Sequence, residues 1–193
     1  QVLQSYSILR YFMVFPIPNL AGSTVTSATI KLTSAGIVVS TSANNRYFLS
    51  KGKLVAGTLA DESTVAAGDY DSINVSSLTD YDDTSGITIS TTADESVTTD
   101  LNSAALTKIN TLTSGGNFVV CLMEYEHDHQ NNGVGSWQGV QTGTTSRGLD
   151  GFHIAESGES NEPELTINYS LPSQSGKIKL TRSMVKNNSQ FFF

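Results

Sequence analysis

The chain has 193 residues, and its 11 basic against 18 acidic side chains give a formal net charge of −7. A length of this order is typical of one domain. The acidic balance offers no basic surface to neutralise phosphates, so we expect no nucleic-acid partner. The longest apolar run, residues 11–18, is shorter than the ~20 residues of a membrane-spanning helix, so we expect no membrane span. Cys121 is the only cysteine, which excludes an internal disulfide.

Strand patterns run through most of the sequence. Apolar and polar residues alternate over 28–33 and 164–169, which predicts two strands with one solvated face. Residues 6–15 and 118–125 are apolar on both parities, that is, at odd and even positions alike, so both faces of each strand would be apolar. This is typical of central strands covered on both sides. Shorter candidate strands lie at 37–42, 47–55, 72–75, 87–91, 97–101, 152–155 and 177–181. Together these patterns predict an all-β fold, an antiparallel, jelly-roll-like β-sandwich.

One short helix is expected, over residues 103–112. Asn102 or Ser103 can cap its first turn, and the apolar side chains at positions 106, 109 and 112 lie about one face. Gly115 and Gly116 then end it. We expect this helix to cover one open end of the sandwich.

The two ends of the predicted sandwich resemble a known family. The opening strands read Tyr-Ser-Ile-Leu-Arg-Tyr-Phe at 6–12 and Pro-Asn-Leu-Ala-Gly-Ser-Thr-Val-Thr-Ser-Ala-Thr-Ile at 18–30. The closing segments read Phe-His-Ile-Ala-Glu at 152–156 and Asn-Glu-Pro-Glu-Leu-Thr-Ile-Asn-Tyr at 161–169. Over residues 6–169 the chain resembles the DNRLRE domains, a group close to the family-96 carbohydrate-binding modules. This resemblance implies a non-catalytic module of secreted or cell-surface proteins, of a type also seen in phage virion proteins.

Two groups of side chains are candidate metal ligands. If the strand over 118–125 continues, His127 and His129 project on the same face and can coordinate one metal ion together. Asp69 and Asp71, with the acidic turn at 80–83, supply the hard oxygen ligands that Ca²⁺ prefers. The alternatives are histidines hydrogen-bonded at a strand end and aspartates that accept from nearby backbone amides.

The glycine-rich segment 131–151 is the main candidate for binding. Trp137 could stack on a sugar ring, while Gln138, Gln141 and Arg147 donate hydrogen bonds to its hydroxyl groups. A surface glycan is therefore a candidate ligand. Contact with a neighbouring subunit and local packing of Trp137 remain the alternatives.

The character of the sequence changes after residue 170. We predict a sandwich domain over 1–170, followed by a linker and a C-terminal assembly strand over 171–193. The candidate assembly residues are basic or strongly apolar: Lys177, Ile178, Lys179, Leu180, Arg182, Phe191, Phe192 and Phe193. Such a segment could add a strand to an adjacent copy or to another protein of the same assembly. An extra edge strand on its own sandwich is the alternative.

Catalytic signatures are not found in the sequence. Neither residues 135–137 nor residues 146–148 form the Gly-x-Ser-x-Gly turn of a serine hydrolase, and Cys121 lies in an apolar run expected to be core. We therefore expect a non-catalytic structural or attachment protein of a repeated surface assembly, such as a virion decoration, a tail component or an extracellular surface layer. Its expected location is extracellular or on a virion. The alternative is a carbohydrate-binding module of a secreted bacterial protein.

Overall fold

The computed structural model describes residues 5–34, 51–62, 64, 66–88, 90, 92–131, 161–171, 174–181 and 184–192. The strands are β1 Ser5–Ile17, β2 Thr24–Thr33, β3 Lys51–Ala56, β4 Ile87–Thr88, β5 Ser96–Asp100, β6 Gly116–Glu124, β7 Glu164–Leu171, β8 Gln174–Thr181 and β9 Met184–Phe192. The helices are α1 Ala67–Asp71 and α2 Ser103–Thr111, and a π-helical turn spans Tyr125–His129.

These strands form two antiparallel sheets. Sheet A has the order β4-β3-β6-β1-β9, and sheet B has the order β5-β2-β7-β8. The predicted all-β sandwich is confirmed. The two segments that are apolar on both parities, now β1 and β6, are interior strands of sheet A, as their sequence indicated.

The main core fills the space between the two sheets. Alternate residues of β1 and β6 face it from sheet A, and alternate residues of β2 and β7 face it from sheet B. Its largest fully buried side chains include Tyr11, Phe15, Phe118, Ile30 and Leu165. Burial of this apolar surface is the dominant favourable term in forming the sandwich.

A second apolar layer covers the outer face of sheet A. The residues of β1 and β6 that point away from the main core include Phe12, Val14 and Cys121, and these lie on the outer face. Ile73, with the partly buried apolar side chains at 59, 75 and 78, packs over them. The segment between β3 and β4, which contains α1, therefore buries this face of sheet A, and this explains why its central strands are apolar on both parities.

The predicted helix is confirmed as α2. The Asn102 side chain accepts hydrogen bonds from the backbone amides of Ala104 and Ala105, so Asn102 is the N-cap. Ala105 and Ile109 are buried in the main core. The Asn110 amide fastens the helix to β2, because it accepts from the Val25 N–H at 2.8 Å and donates to the Val25 carbonyl at 3.2 Å.

Two local expectations are wrong. Residues 72–75 do not form a strand but follow the C-terminus of α1, where Ser72 donates through both its backbone N–H and its hydroxyl to the Asp69 carbonyl. These local bonds favour a turn over extended backbone. A second short helix, α1, was also not expected. The predicted strands at 37–42 and 152–155 lie outside the described residues.

The C-terminal segment, expected to follow the sandwich from residue 171, supplies one strand to each sheet. β8 pairs with β7 from Leu171↔Gln174 to Glu164↔Thr181, and β9 pairs with β1 from Met13↔Met184 to Ser5↔Phe192. The described residues of the supposed linker, 171 and 174–176, belong to the paired ends of β7 and β8. The Tyr169 side chain lies over Gly176, where a Cβ would come within 2.5 Å of its outer atoms and displace it. The C-terminal segment thus completes both sheets of its own sandwich, which was the alternative left open.

Candidate functional site

A buried arginine joins the outer layer to sheet A. Arg10, on β1, donates from Nε to Asp128 Oδ2 at 2.8 Å and from Nη2 to Asp128 Oδ1 at 2.7 Å. Its Nη1 donates to the backbone carbonyls of Tyr70 and Ile73, and its guanidinium lies 4.1 Å from the Tyr70 ring centroid. Both charged side chains are only 4% exposed. This cluster fixes α1 and the π-helical turn to the same strand.

The charges in this cluster alter two pKa values. Burial alone lowers the pKa of Arg10, but hydrogen bonding and charge attraction from Asp128 reverse the effect and raise it. Burial, followed by the negative charge of Asp128, raises the pKa of Tyr70 to about 12. Arg10 is therefore a permanent cation with a dedicated counter-ion, and Tyr70 stays neutral at physiological pH.

A second buried charge lies on β3. Lys53 Nζ is 3.1 Å from Asp82 Oδ1 and 3.5 Å from Asp80 Oδ2. It also donates to the backbone carbonyls of Asp82 at 3.0 Å and Thr84 at 2.6 Å. The Asp82 carboxylate in turn accepts from the Leu54 N–H at 2.8 Å and from the Thr84 N–H at 2.9 Å. The amine and both carboxylates therefore form one small polar cluster beside β3.

The backbone at His127 and His129 is not the strand on which their predicted pairing depended. β6 ends at Glu124, and both histidines lie in the π-helical turn, so the two-residue spacing of a strand does not apply to them. The Glu124 carboxylate accepts from the backbone amides of Glu126 and Asp128 and stabilises this turn. His129 stacks on Tyr125 and its Nε2 lies 2.8 Å from Asp80 Oδ1. The His127 side chain lies outside the described part of the structure.

Of the two predicted calcium ligands on α1, Asp69 is engaged by backbone amides. The buried Asp69 carboxylate accepts from the backbone amides of Ala66 at 2.7 Å and Ala60 at 3.1 Å. It closes the first turn of α1, as the backbone-amide alternative expected. Asp71 is exposed. Among the residues that the structure describes, no group of three or more His, Cys, Asp or Glu side chains is placed to hold a metal ion.

Cys121 lies in the outer apolar layer and is fully buried. Burial raises the pKa of its thiol, so the thiol stays protonated and unreactive. This agrees with its interpretation as a small core side chain.

The predicted glycan residues Trp137, Gln138, Gln141 and Arg147 lie outside the described residues, and so do Arg182 and Phe193. Among the predicted assembly residues, Lys177 and Lys179 are exposed on β8, while Ile178 and Leu180 pack partly against the main core. The backbones of Phe191 and Phe192 belong to β9. Their role in assembly stays a prediction.

The C-terminal strands β8 and β9, each at one edge of its sheet, are the features best suited to binding another molecule. Within the described residues, β8 pairs only with β7 and β9 only with β1, so each leaves one backbone edge facing away from its sheet. Both strands come from the C-terminal segment. Their outward edges are templates for adding a further strand.

Sequence reasoning did not find the two buried ion pairs. The available signal was a charge among the apolar residues of a strand: Arg10 in β1, and Lys53, two residues after Lys51, in β3. A buried charge requires a partner, so each of these positions indicated an unseen acid. Which acid pairs with each charge depends on how distant segments fold, and no local sequence pattern indicates it.

Comparison of the chain with models of known protein families, with characterised proteins and with solved structures found no match. The resemblance to the DNRLRE domains therefore stays a prediction. No helix in the described part of the chain is long and apolar enough to cross a membrane.

Proposed function

We propose that the protein is a non-catalytic structural or attachment module that repeats in an extracellular or virion surface assembly. The observation that carries this proposal is the pair of sheet edges at β8 and β9, each paired on one side only among the residues that the structure describes. The described ionisable side chains in the interior support it, because Arg10 and Lys53 are engaged by acidic partners within the fold.

The two edges of sheet B carry opposite charges. At one edge, β8 exposes Lys177 and Lys179. At the other, β5 exposes Asp100, and the exposed Asp94 and Glu95 precede it in the chain. Charged residues on an edge strand suppress indiscriminate pairing and select for a complementary edge. A second copy of this chain supplies such an edge.

The strand directions also suit pairing between copies. Each neighbouring pair in the order β5-β2-β7-β8 is antiparallel, so β5 and β8 run in opposite directions. A second copy placed beside the first, in the same orientation, would therefore pair its β5 antiparallel with β8. This head-to-tail contact uses two different surfaces, and such contacts build rings or filaments of repeated subunits.

The proposal is tested by sedimentation of the full chain over a concentration series. We expect association that weakens about tenfold or more in the double variant Lys177→Glu with Lys179→Glu, equivalent to ~1.4 kcal/mol. Lys108→Glu, on the exposed face of α2, is the control for each single reversal, Lys177→Glu and Lys179→Glu, because all three change the net charge equally. Adding Asp100→Lys to the double variant should restore association.

Two results would contradict this proposal. One is a monomer at every concentration, and the other is equal weakening by Lys108→Glu. A monomer that binds sugars on a glycan array, and loses that binding in Trp137→Ala, would instead support the carbohydrate-binding module.

A further inference from the structure

Lys53 and Asp82 are placed as the two partners of a condensation reaction. Their side chains are only 4% and 0% exposed, and Nζ lies 3.1 Å from Oδ1. The amine is on the outer face of sheet A, opposite Met123 in the β3–β6 register. The acid comes from the segment that covers this face. Fixed proximity of this kind replaces an encounter in solution and raises the effective concentration of the two groups by many orders of magnitude.

A third group is placed to move protons. Asp80 Oδ2 lies 3.5 Å from Lys53 Nζ, and the Asp80 side chain is 37% exposed. It therefore contacts both the buried amine and solvent. Its other carboxylate oxygen lies 2.8 Å from His129 Nε2, which holds the carboxylate in place.

Hydrogen-bond donors surround the acid. Oδ2 of Asp82 accepts from the Leu54 N–H, and Oδ1 accepts from the N–H and the hydroxyl of Thr84. Donors fixed in this way stabilise negative charge that develops on oxygen when a nucleophile adds to the carboxyl carbon.

We propose that Lys53 and Asp82 join in an intramolecular isopeptide bond. Asp80 takes a proton from the ammonium, and the resulting amine adds to the carboxyl carbon of Asp82. Negative charge on Oδ2 is stabilised by the Leu54 N–H. Oδ1 leaves as water, carrying two of the three protons of the original ammonium. The C–N bond formed replaces one C–O bond, no electrons are transferred, and Asp80 ends as it began.

Burial favours the amide over the ion pair. A charged amine and carboxylate inside a protein keep a desolvation penalty that their attraction only partly offsets. The amide is neutral, and its oxygen can still accept from the Leu54 N–H. Water can leave on the solvent-exposed side of Asp80. The reaction is a single self-modification, so it is independent of the proposed assembly function.

The other ion pairs of the described chain do not meet these conditions. Arg10 presents a delocalised guanidinium, which is not a nucleophile. Lys179 is close to Glu164, at 2.7 Å, but 55% of the Lys179 side chain is exposed, so bulk water solvates the ammonium. Only Lys53 combines a buried primary amine, a buried acid and a second carboxylate among the residues described.

The test is the mass of the intact, freshly folded chain, followed by a tryptic map. We expect a mass below that of the sequence by one water molecule. An amide on Nζ blocks trypsin at Lys53, and the next basic residue is Lys108. The modified protein should therefore give a peptide spanning 52–108, less one water, in place of the free peptide 54–108.

Variants separate this reaction from other losses of water. Lys53→Arg keeps the positive charge but should show the full mass and normal tryptic cleavage. Cyclisation at Asp150-Gly151 also releases water, but it would persist in Lys53→Arg and would not block cleavage at residue 53. Asp82→Asn should lose ammonia instead of water, because the leaving group is then nitrogen. Asp80→Asn should leave most chains unlinked.

A wild-type chain of full mass that is cleaved at Lys53, both fresh and after prolonged incubation, would overturn the proposal. This readout does not depend on oligomeric state. A failure of the isopeptide bond is thus distinct from a failure of the assembly function.

Discussion

Charged residues are buried on the outer face of sheet A but partly exposed on the outer face of sheet B. On sheet A, a covering layer buries the face, and Arg10 and Lys53 are paired with acids inside it. On the outer face of sheet B, Glu164 pairs with Lys31 and Lys179, whose side chains are 37% and 55% exposed among the described residues. The sandwich therefore has buried ion pairs on the outer face of sheet A and partly exposed ion pairs on the outer face of sheet B.

This difference separates the roles of the two faces. A buried pair is costly to assemble and very costly to break, so it holds two segments in one arrangement. A solvated pair contributes little to stability but leaves its charges available to a partner. The outer face of sheet A is thus stabilised by ion pairs within the chain, whereas the exposed charges on the outer face of sheet B can interact with another molecule.

The largest expected effect is loss of the acid that pairs with Arg10. We expect Asp128→Ala to lower the free energy of unfolding by about 3–5 kcal/mol, because it leaves a guanidinium buried without its counter-ion. Urea denaturation measures this loss. The double variant Arg10→Met with Asp128→Ala should be destabilised by less than the sum of its two single variants. Additive effects would show that the pair is not coupled.

The sequence was sufficient for the parts of the fold governed by local pattern. β1 and β6 were predictable because they are apolar on both parities, and α2 because Asn102 caps it. The covering layer was not, because α1 has only five residues and depends on the Asp69 carboxylate for its first turn. β9 was missed because its polar middle shows no alternation, so its pairing with β1 decides its structure.

The candidate site divides in the same way. The exposed lysines of β8 follow from alternation along one strand, so sequence reasoning found them. The partnership of Lys53 with Asp82 joins segments separated by α1 and its flanking turns, and no periodicity connects them. The histidine pair depended on β6 continuing past Glu124, where the Glu124 carboxylate instead stabilises a π-helical turn.

A smaller effect is expected at high pH from Tyr70, in the buried cluster. Its pKa rises from 10.0 to about 12 on folding, through burial and then the charge of Asp128. The folded chain holds this proton more tightly, so the associated stability is complete below pH 10 and is lost as the pH rises through 12. We expect a loss of roughly 1–2 kcal/mol over that interval. Tyr70→Phe should lose less, as measured by denaturation at pH 9 to 12, and equal losses in the two proteins would contradict this assignment.

The smallest effect is expected on the outer face of sheet B. Glu164→Gln removes the acid at 2.7 Å from Lys179 and 4.0 Å from Lys31, yet we expect it to cost only about 0.2–1 kcal/mol. Both lysines remain hydrated, and their attraction to Glu164 is screened by salt. The difference from wild type should therefore shrink in denaturation experiments at high ionic strength, whereas that of Asp128→Ala should persist. A salt-independent loss as large as that of Asp128→Ala would show that the face of sheet B is covered, and that the contrast between the two faces is wrong.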